Sequence, residues 1–240
     1  MMPSNAFFTL HRDLPREGPG VPEDVHWALD MAGTPPTAHI LDAASGPGAD
    51  TVTLAEARPI ATIEAIDITA HFVDEAARRT ARFGTRVKAR QGDYTDLDGQ
   101  YDLIWCAGAA YFNGFQNTLS AWRDHLATDG AIAFSEPALV SEPPSSEVNA
   151  FWEGEGDIHG LPRLQAMLDS NGWRIEGHRW LIGAPWEAYY GPKEARLKRL
   201  KSEDPDPELL AVLEHSEREI ALWRENRDKI AYALFVVRPA

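Results

Sequence analysis

The chain is poor in cysteine and has none of the long apolar segments that are typical of membrane-spanning helices. Only one of its 240 residues is cysteine, so no disulfide can form within the chain. No apolar run reaches the roughly 20 residues that a membrane-spanning helix needs, and the N-terminus lacks the basic and then apolar layout of a signal peptide. These absences exclude a disulfide-stabilised fold and predict a globular, cytoplasmic protein.

Basic residues are scarce relative to acidic ones. The chain has 37 Asp and Glu residues against 23 Lys and Arg, which gives a formal net charge of −14 at pH 7. Such a charge repels the phosphates of nucleic acids and anionic lipid surfaces. The basic clusters at 78–90 and 193–201 fall in helical or strand patterns without an aromatic stacking platform, which is typical of solvated faces. We therefore expect a small-molecule substrate, and neither nucleic acid nor membrane as a partner.

Metal-ligand spacing is missing as well. The eight histidines include no pair spaced as in HExxH, and Asp157 with His159 is only a fragment of a ligand set. The single cysteine, Cys106, lies in the apolar run 101–106, which favours a buried structural thiol over a nucleophile. The sequence predicts no metal site.

Segments with the hydrophobic pattern of strands alternate regularly along the chain with segments that have the pattern of helices. Apolar, strand-like runs lie near 38–43, 61–66, 86–91, 101–106 and 130–135. Stretches with helical spacing separate them, near 49–57, 69–83 and 115–126. This alternation predicts an α/β fold with a parallel sheet covered by helices on both faces.

The segments on either side of this core are less regular. Residues up to Gly20 are rich in turn formers and predict an N-terminal arm, followed by a helix that starts near Pro22. After a proline-rich loop, a helix is expected near 160–171. Two late strands, Trp173 to Leu181 and Ile230 to Arg238, enclose a segment that Pro205 and Pro207 divide into two helices. In the second of these, the apolar stripe Leu209, Leu213, Ser216, Ile220 and Trp223 predicts a packed face.

The most informative run, 39–51, reads as a strand ending in Asp42, a loop with Gly46 and Gly48, and then a helix. Glycine allows a sharp backbone turn and a close approach by a ligand, as in dinucleotide-binding loops. A GxG pattern alone is a weak signal, because glycine loops also serve as simple turns. The downstream residues decide between these interpretations.

Acidic residues close the next two strands. Asp67 follows the glycine loop by about 20 residues, where a carboxylate can accept the hydroxyl protons of a ribose. Asp93 closes the third strand and can accept a hydrogen bond from an adenine amine, with Tyr94 beside the ring. Each aspartate alone could cap a helix. Together they predict a ligand crevice at the carboxyl ends of the strands.

These residues resemble the motifs of class I S-adenosylmethionine-dependent methyltransferases. The glycine motif lies at 40–48, the ribose motif at 65–67 and the adenine motif at 92–93, while 101–105 and 129–134 correspond to the fourth and fifth strands. The resemblance implies a Rossmann-like sheet of seven strands with the last one antiparallel. Further stretches resemble a group of bacterial small-molecule methyltransferases without an assigned substrate, namely 14–20, 134–137, 151–152 and 186–192.

The resemblance also implies a cofactor and a reaction. S-adenosylmethionine would bind at the crevice and leave as S-adenosylhomocysteine, with Asp42 or Asp50 facing its ammonium and Arg16 closing over that end. The residues expected to contact it are Arg16, Asp42, Ala44, Gly46, Gly48, Asp50, Thr51, Asp67, Ile68, Gly92, Asp93, Tyr94, Cys106 and Gly108. Methyl transfer is an in-line displacement, so positioning matters more than a dedicated base.

The acceptor pocket is expected to be rich in aromatic residues. Its candidate members are Tyr111, Trp152, Trp186, Tyr189 and Tyr190, whose rings could exclude water and attract the sulfonium. If a proton must leave the acceptor, the candidate bases are Tyr111, Glu136 and His159. The sequence marks none of the three as the base, and it leaves open whether oxygen, nitrogen or carbon is methylated.

The domain prediction is a single methyltransferase domain over 1–240. Its expected parts are an arm and helix at 1–34, a cofactor-binding core at 35–136, and substrate-side segments at 137–160 and 183–229; a monomer and a homodimer both remain open. One rival interpretation is a binding module that kept the cofactor crevice but lost transfer chemistry. The other, a nicotinamide oxidoreductase, is disfavoured because Thr51 replaces the third glycine of the dinucleotide fingerprint. Ala44 is also a departure, since many relatives carry glycine or cysteine there.

Overall fold

A computed structural model describes residues 5–240, and residues 1–4 of the predicted arm lie outside the described residues. Its sheet has the order β3-β2-β1-β4-β5-β8-β7. The strands are β1 His39–Ala43, β2 Thr62–Asp67, β3 Val87–Gln91, β4 Tyr101–Cys106, β5 Leu126–Leu139, β6 His159–Gly160, β7 Trp173–Leu181 and β8 Ile230–Pro239. Strands β1 to β5 run parallel, while β8 is antiparallel to both β5 and β7. The predicted Rossmann-like fold is confirmed.

The strand count differs from the sequence prediction by one. The two-residue strand β6 pairs with β5 at Ala138 and Leu139, off the main path of the sheet. So short a strand has no alternating pattern to reveal it, since a period of two needs several residues to be visible. The sheet therefore has eight strands among the described residues, where the resemblance implies seven.

Helices cover both faces of this sheet. They are α1 Asn5–His11, α2 Pro22–Met31, α3 Ala49–Ala57, α4 Ala70–Thr80, α5 Phe115–Trp122, α6 Ser146–Phe151, α7 Leu161–Ser170, α8 Ala184–Lys201 and α9 Pro207–Glu225. Successive strand residues point to opposite faces. Ile40 packs in a core with α2, α3, α8 and α9, while Leu41 packs in a second core with α5 and α7. None of the helices within residues 5–240 is long and apolar enough to cross a membrane.

The helical segment between β7 and β8 forms as the prolines predict. Asp206 caps α9 by accepting the backbone N–H of Leu209 at 2.9 Å, and Pro207 stands in the first turn. Of the predicted stripe, Leu213, Ser216, Ile220 and Trp223 are buried, and Leu209 is half-buried. The face that this stripe forms packs α9 into the core next to α8.

Helix α1 is the main element that the sequence prediction missed. The glycines and prolines that mark the arm are concentrated at 14–20, whereas α1 precedes them and buries Ala6, Leu10 and His11. It packs against α8 and α9. Arg196 of α8 fixes it by donating to the Thr9 carbonyl at 2.7 Å. The described part of the arm thus contains a packed helix, and it reaches the carboxyl ends of the strands.

Candidate functional site

A cavity of about 1040 Å³ opens at the carboxyl ends of β1, β2 and β4. This volume is at the upper end of the range for small-molecule sites. Its wall combines the arm, the glycine loop, the segment after β4, helix α6 and the facing sides of α8 and α9. One end of the cavity is polar and the other is aromatic.

The glycine loop turns through three residues with left-handed backbone angles. Ala44, Gly46 and Gly48 have φ values of 55°, 52° and 84°. A Cβ on Gly48 would lie 2.9 Å from the Cα and Cβ of Ala76 in α4, so glycine is needed there for helix packing. Gly46 and Ala44 line the cavity. A left-handed φ is one that glycine adopts more easily than the alanine found at this place.

Asp67 connects the end of β2 to the glycine loop. Its Oδ2 accepts the N–H of Gly46 at 2.9 Å, and its Oδ1 accepts the N–H of Thr69 at 2.8 Å. Burial raises the pKa of this carboxyl above its ordinary value, although both backbone hydrogen bonds oppose the shift. Since Asp67 also lines the cavity, it occupies the place from which it could accept ribose hydroxyls.

Two further aspartates lie where β1 meets α3. Asp42 accepts the hydroxyl of Thr51 at 2.5 Å, and burial, together with the nearby charge of Asp50, raises its pKa to about 8. Asp50 forms an ion pair with Arg16 at 3.2 Å and accepts the indole N–H of Trp105 at 3.2 Å. The arm thus reaches the predicted cofactor end through Arg16. Asp42, Asp50 and Arg16 all line the cavity.

Not every predicted cofactor residue reaches the cavity wall. Asp67, Ile68, Tyr94 and Gly108 belong to it, as do the loop and arm residues named above. The structure places five others behind or beside it, namely Gly48, Thr51, Gly92, Asp93 and Cys106.

Hydrogen bonds explain the positions of two of these five residues, and burial explains that of a third. Thr51 donates a hydrogen bond from its hydroxyl to Asp42, so it holds a carboxyl that lines the cavity. Asp93 is exposed and accepts the N–H and the hydroxyl of Thr95 at 2.8 and 2.7 Å. Its adenine role stays a prediction. Cys106 is a buried free thiol, and burial raises its pKa well above the ordinary value, so it is not a thiolate nucleophile.

The aromatic end contains all five predicted substrate residues, Tyr111, Trp152, Trp186, Tyr189 and Tyr190. The structure adds Tyr232 of β8. Its ring lies 5.3 Å from that of Trp186 and 5.9 Å from that of Trp152, and its hydroxyl is 3.5 Å from that of Tyr111. The apolar pattern of β8 predicts a strand but says nothing of the cavity, which is why the sequence analysis missed this residue.

The three candidate bases are not equivalent. Tyr111 lines the cavity, but burial raises its pKa to about 12, so near neutral pH it is a hydrogen-bond donor and a poor proton acceptor. Glu136 is buried within β5, burial raises its pKa to about 8, and its Oε2 has no hydrogen-bond partner among the described residues. His159 lies on β6, paired with Ala138. Neither Glu136 nor His159 belongs to the cavity wall.

A histidine and a glutamate of the arm are in the wall but were not predicted. His11 is 4% exposed, its ring stacks on Phe7, and its Nδ1 is in hydrogen-bond contact with Oε2 of Glu17. The other oxygen of Glu17 is buried without a partner within residues 5–240. The sequence spacing does not show this pair, because His11 is positioned by helix α1. That helix was not predicted, since the neighbouring residues favour turns.

One basic residue corrects the sequence prediction of solvated faces. Lys193 was assigned to such a face with the rest of 193–201, yet it is only 3% exposed and lines the cavity. The buried residues Trp186, Tyr190, Lys193, Leu197 and Leu200 recur in α8 at spacings of four and three. This periodicity places Lys193 on the buried face of the helix. The same spacing can be read from the sequence, and it indicates that Lys193 is buried.

Comparisons with known proteins extend the resemblance. A family described as a methyltransferase domain matches residues 40–130. A search of curated proteins finds no match.

Solved structures share the fold of the whole chain. A SAM-dependent methyltransferase from Geobacter sulfurreducens, in complex with S-adenosylhomocysteine, is 21% identical, with a TM-score of 0.87 and coverage of 99% of both chains. One from Thiobacillus denitrificans, in complex with the same molecule, is 21% identical, with a TM-score of 0.87 and coverage of 100% of both chains. YjhP of E. coli is 21% identical, has a TM-score of 0.82, and covers 99% of this chain and 100% of its own.

Proposed function

We propose that this chain, whose residues 40–130 match a methyltransferase domain family, transfers a methyl group from S-adenosylmethionine to a small-molecule acceptor. The domain match and the shared fold confirm the resemblance to class I methyltransferases that the sequence motifs indicate. The two relatives in complex with S-adenosylhomocysteine support the choice of cofactor. The acceptor class rests on the cavity.

The observation that carries the proposal is that one cavity contains both ends of the site. The glycine loop and Asp67 line it together with Trp186, Tyr190 and Tyr232, which are all less than 7% exposed. An acceptor that reaches these buried rings has to enter the cavity. Such a space suits a small molecule better than the surface of a folded macromolecule.

The residues at the polar end fit the cofactor. Its amino acid part carries an ammonium group, and the carboxyls of Asp42 and Asp50 are the buried acids next to the glycine loop. Gly46 turns its backbone along the cavity without a side chain, and Asp67 offers a carboxylate to the ribose. These residues would hold S-adenosylmethionine, which would supply a methyl group carried on a positively charged sulfur.

The chain's own residues would then hold the acceptor and take its proton. The rings of Trp152, Trp186 and Tyr232 exclude water, and the protonated hydroxyl of Tyr111 can donate a hydrogen bond to the acceptor. Where the reacting group is a hydroxyl or an ammonium, its proton can pass to the imidazole of His11, which lines the cavity. Glu17 holds the ring through Nδ1 and stabilises the imidazolium that forms.

Binding experiments separate this function from its rivals. We expect a thermal shift with S-adenosylhomocysteine and none with NAD or NADP; the opposite pattern would support a nicotinamide oxidoreductase. A panel of small metabolites, assayed for S-adenosylhomocysteine release, then tests transfer. Tight cofactor binding without turnover on any member would favour a binding module that has lost the chemistry.

A further inference from the structure

A buried ammonium group lies in the wall of the aromatic end. Lys193 of α8 is 3% exposed, and its Nζ lies 5.1 Å from the centre of the Tyr189 ring. Nζ donates to the hydroxyl of Tyr189 at 3.3 Å and is 3.5 Å from Oε2 of Glu219 in α9. All three residues line the cavity.

This ammonium is incompletely satisfied. An ammonium has three donors, and the contact with Tyr189 is its one hydrogen bond among the described residues. The distance of 3.5 Å to Glu219 exceeds the roughly 2.7–2.9 Å of a charge-assisted hydrogen bond. The other oxygen of Glu219 accepts the hydroxyl of Tyr190 at 2.6 Å, so that carboxylate is already held. Burying a charge is costly unless its hydrogen bonds are made, and the cavity is the space in which they can be completed.

A purely structural ion pair on the same helix looks different. Lys198 is exposed and lies 2.9 Å from Glu194 one turn away, as surface pairs in helices do. Lys193 occupies a position of the buried stripe, where an apolar side chain would pack without any cost of burying a charge. The contrast indicates that the ammonium is there for a ligand.

We propose that Lys193 binds an anionic oxygen of the methyl acceptor, and that this acceptor is a planar apolar molecule with a single negative charge. The surrounding rings of Trp186, Tyr189 and Tyr190 suit a flat apolar body. One ammonium, partly offset by Glu219, matches a carboxylate or a phenolate; a phosphate dianion would need more donors. The inference rests on the proposed function, since it names the acceptor of that same cavity.

The test uses the full chain saturated with S-adenosylhomocysteine and four simple probes in calorimetric titrations. Benzoate and para-nitrophenolate carry the two anionic oxygens, benzamide is a neutral analogue, and phenyl phosphate is a dianion. We expect one or both monoanions to bind at least about tenfold more tightly than benzamide and phenyl phosphate. Which monoanion binds more tightly distinguishes a carboxylate from a phenolate acceptor.

Variants then assign the preference to one side chain. Lys193→Met should remove the preference for the monoanion while S-adenosylhomocysteine binds as in the wild type. Lys198→Met, on the same helix, should keep it. Glu219→Gln should strengthen monoanion binding several-fold, because the competing carboxylate is gone, and this variant serves as the test if Lys193→Met does not fold.

Several results would overturn the inference. These are equal affinities for benzoate, para-nitrophenolate and benzamide, tightest binding of phenyl phosphate, a preference that survives Lys193→Met, or no binding of any probe. Failure of the proposed function looks different, because the wild type would then not bind S-adenosylhomocysteine. The same four titrations of the ligand-free chain would still decide the role of Lys193.

Discussion

The glycines of the loop after β1 meet two separate geometric requirements. Gly46 has a positive φ and faces the cavity, whereas Gly48 has a positive φ and also touches α4. A side chain on Gly48 would therefore strain the backbone and push α3 from α4. Because α3 begins at Ala49, this contact sets the position of the helix whose first turn contains Asp50.

Gly48→Ala should destabilise the fold by about 2–4 kcal/mol, since a left-handed alanine costs about 1–2 kcal/mol and a close contact adds a similar amount. Gly33→Ala is the matched control. Its φ is 56° and nothing lies within 4 Å of the added Cβ, so only the backbone cost remains. Urea unfolding of both variants measures the difference, and equal losses would show that the contact with Ala76 is unimportant.

Asp67 offers a second prediction for a single side chain. Asp67→Ala removes the acceptor of the Gly46 N–H and the proposed ribose ligand, so S-adenosylhomocysteine should bind about 1–3 kcal/mol more weakly by calorimetry. Asp98→Ala, at an exposed loop position, should bind as the wild type does. Unchanged affinity in Asp67→Ala would remove this residue from the site, and Asp93→Ala tests the adenine role in the same titration.

The position of the arm is fixed by hydrogen bonds and ion pairs with other elements. Arg79 of α4 donates to the carbonyls of Leu14 and Pro15 at 2.9 and 2.7 Å, and Arg16 reaches Asp50. Gly20 donates its N–H to the carbonyl of Pro185 at 3.1 Å. The arm that carries His11, Arg16 and Glu17 is thus held by α4 and by the start of α8.

Two neighbouring arginines of α4, Arg78 and Arg79, allow the contact with the arm to be tested separately from the ion pair with Glu75 that both of them form. Arg78 and Arg79 both bind Glu75, and they hold the pKa of its carboxyl at about 2, but of the two only Arg79 donates hydrogen bonds to the described part of the arm. Arg79→Met should loosen the arm, speed proteolysis within 12–20, and weaken S-adenosylhomocysteine binding by about 1–2 kcal/mol. Arg78→Met should do neither. Similar behaviour of the two variants would mean that Glu75, and not the arm, transmits the effect.

The alternating elements could be predicted from the sequence because each is long enough to show its period. Strands β1 to β4 and helix α3 lie within one residue of their predicted bounds. Helix α1 and strand β6 could not be predicted, since one has seven residues beside a turn-rich stretch and the other has two. Their existence depends on partners distant in the chain, which periodicity does not encode.

The site also has one part that could be predicted from the sequence and one part that could not. Its polar end follows from local motifs, so Asp42, Gly46 and Asp67 could be found from the sequence and line the cavity. The aromatic end was predicted by resemblance and composition. The cavity-lining residues His11, Lys193 and Glu219 come from three helices that meet only in the folded chain. No spacing within the sequence shows which of these charges face one another.

Over the whole molecule, buried carboxyls make stability depend on pH. Burial raises the pKa of Glu136 to about 8, and burial with the charge of Asp50 raises that of Asp42 to about 8. Above an ordinary carboxyl pKa of about 4 and up to about 8, the unfolded chain ionises these groups while the folded chain keeps them protonated. The folded state then binds more protons, so stability falls as the pH rises through this window.

We expect the free energy of unfolding to drop by about 2 kcal/mol for each of these groups between pH 6 and pH 8. Glu136→Gln should remove roughly half of the drop and leave the part due to Asp42. Glu214→Gln, at an exposed position of α9, should keep all of it. Urea unfolding at several pH values measures the slopes, and identical slopes in the wild type and Glu136→Gln would contradict the assignment.

The place of β8 in the sheet has a consequence for biosynthesis. This strand lies between β5 and β7, yet its residues are translated after both. A nascent chain that has reached residue 229 therefore carries two strands with unpaired edges and lacks the ring of Tyr232. Unpaired edges invite pairing with other chains. The sheet can therefore be completed only after β8 has been synthesised.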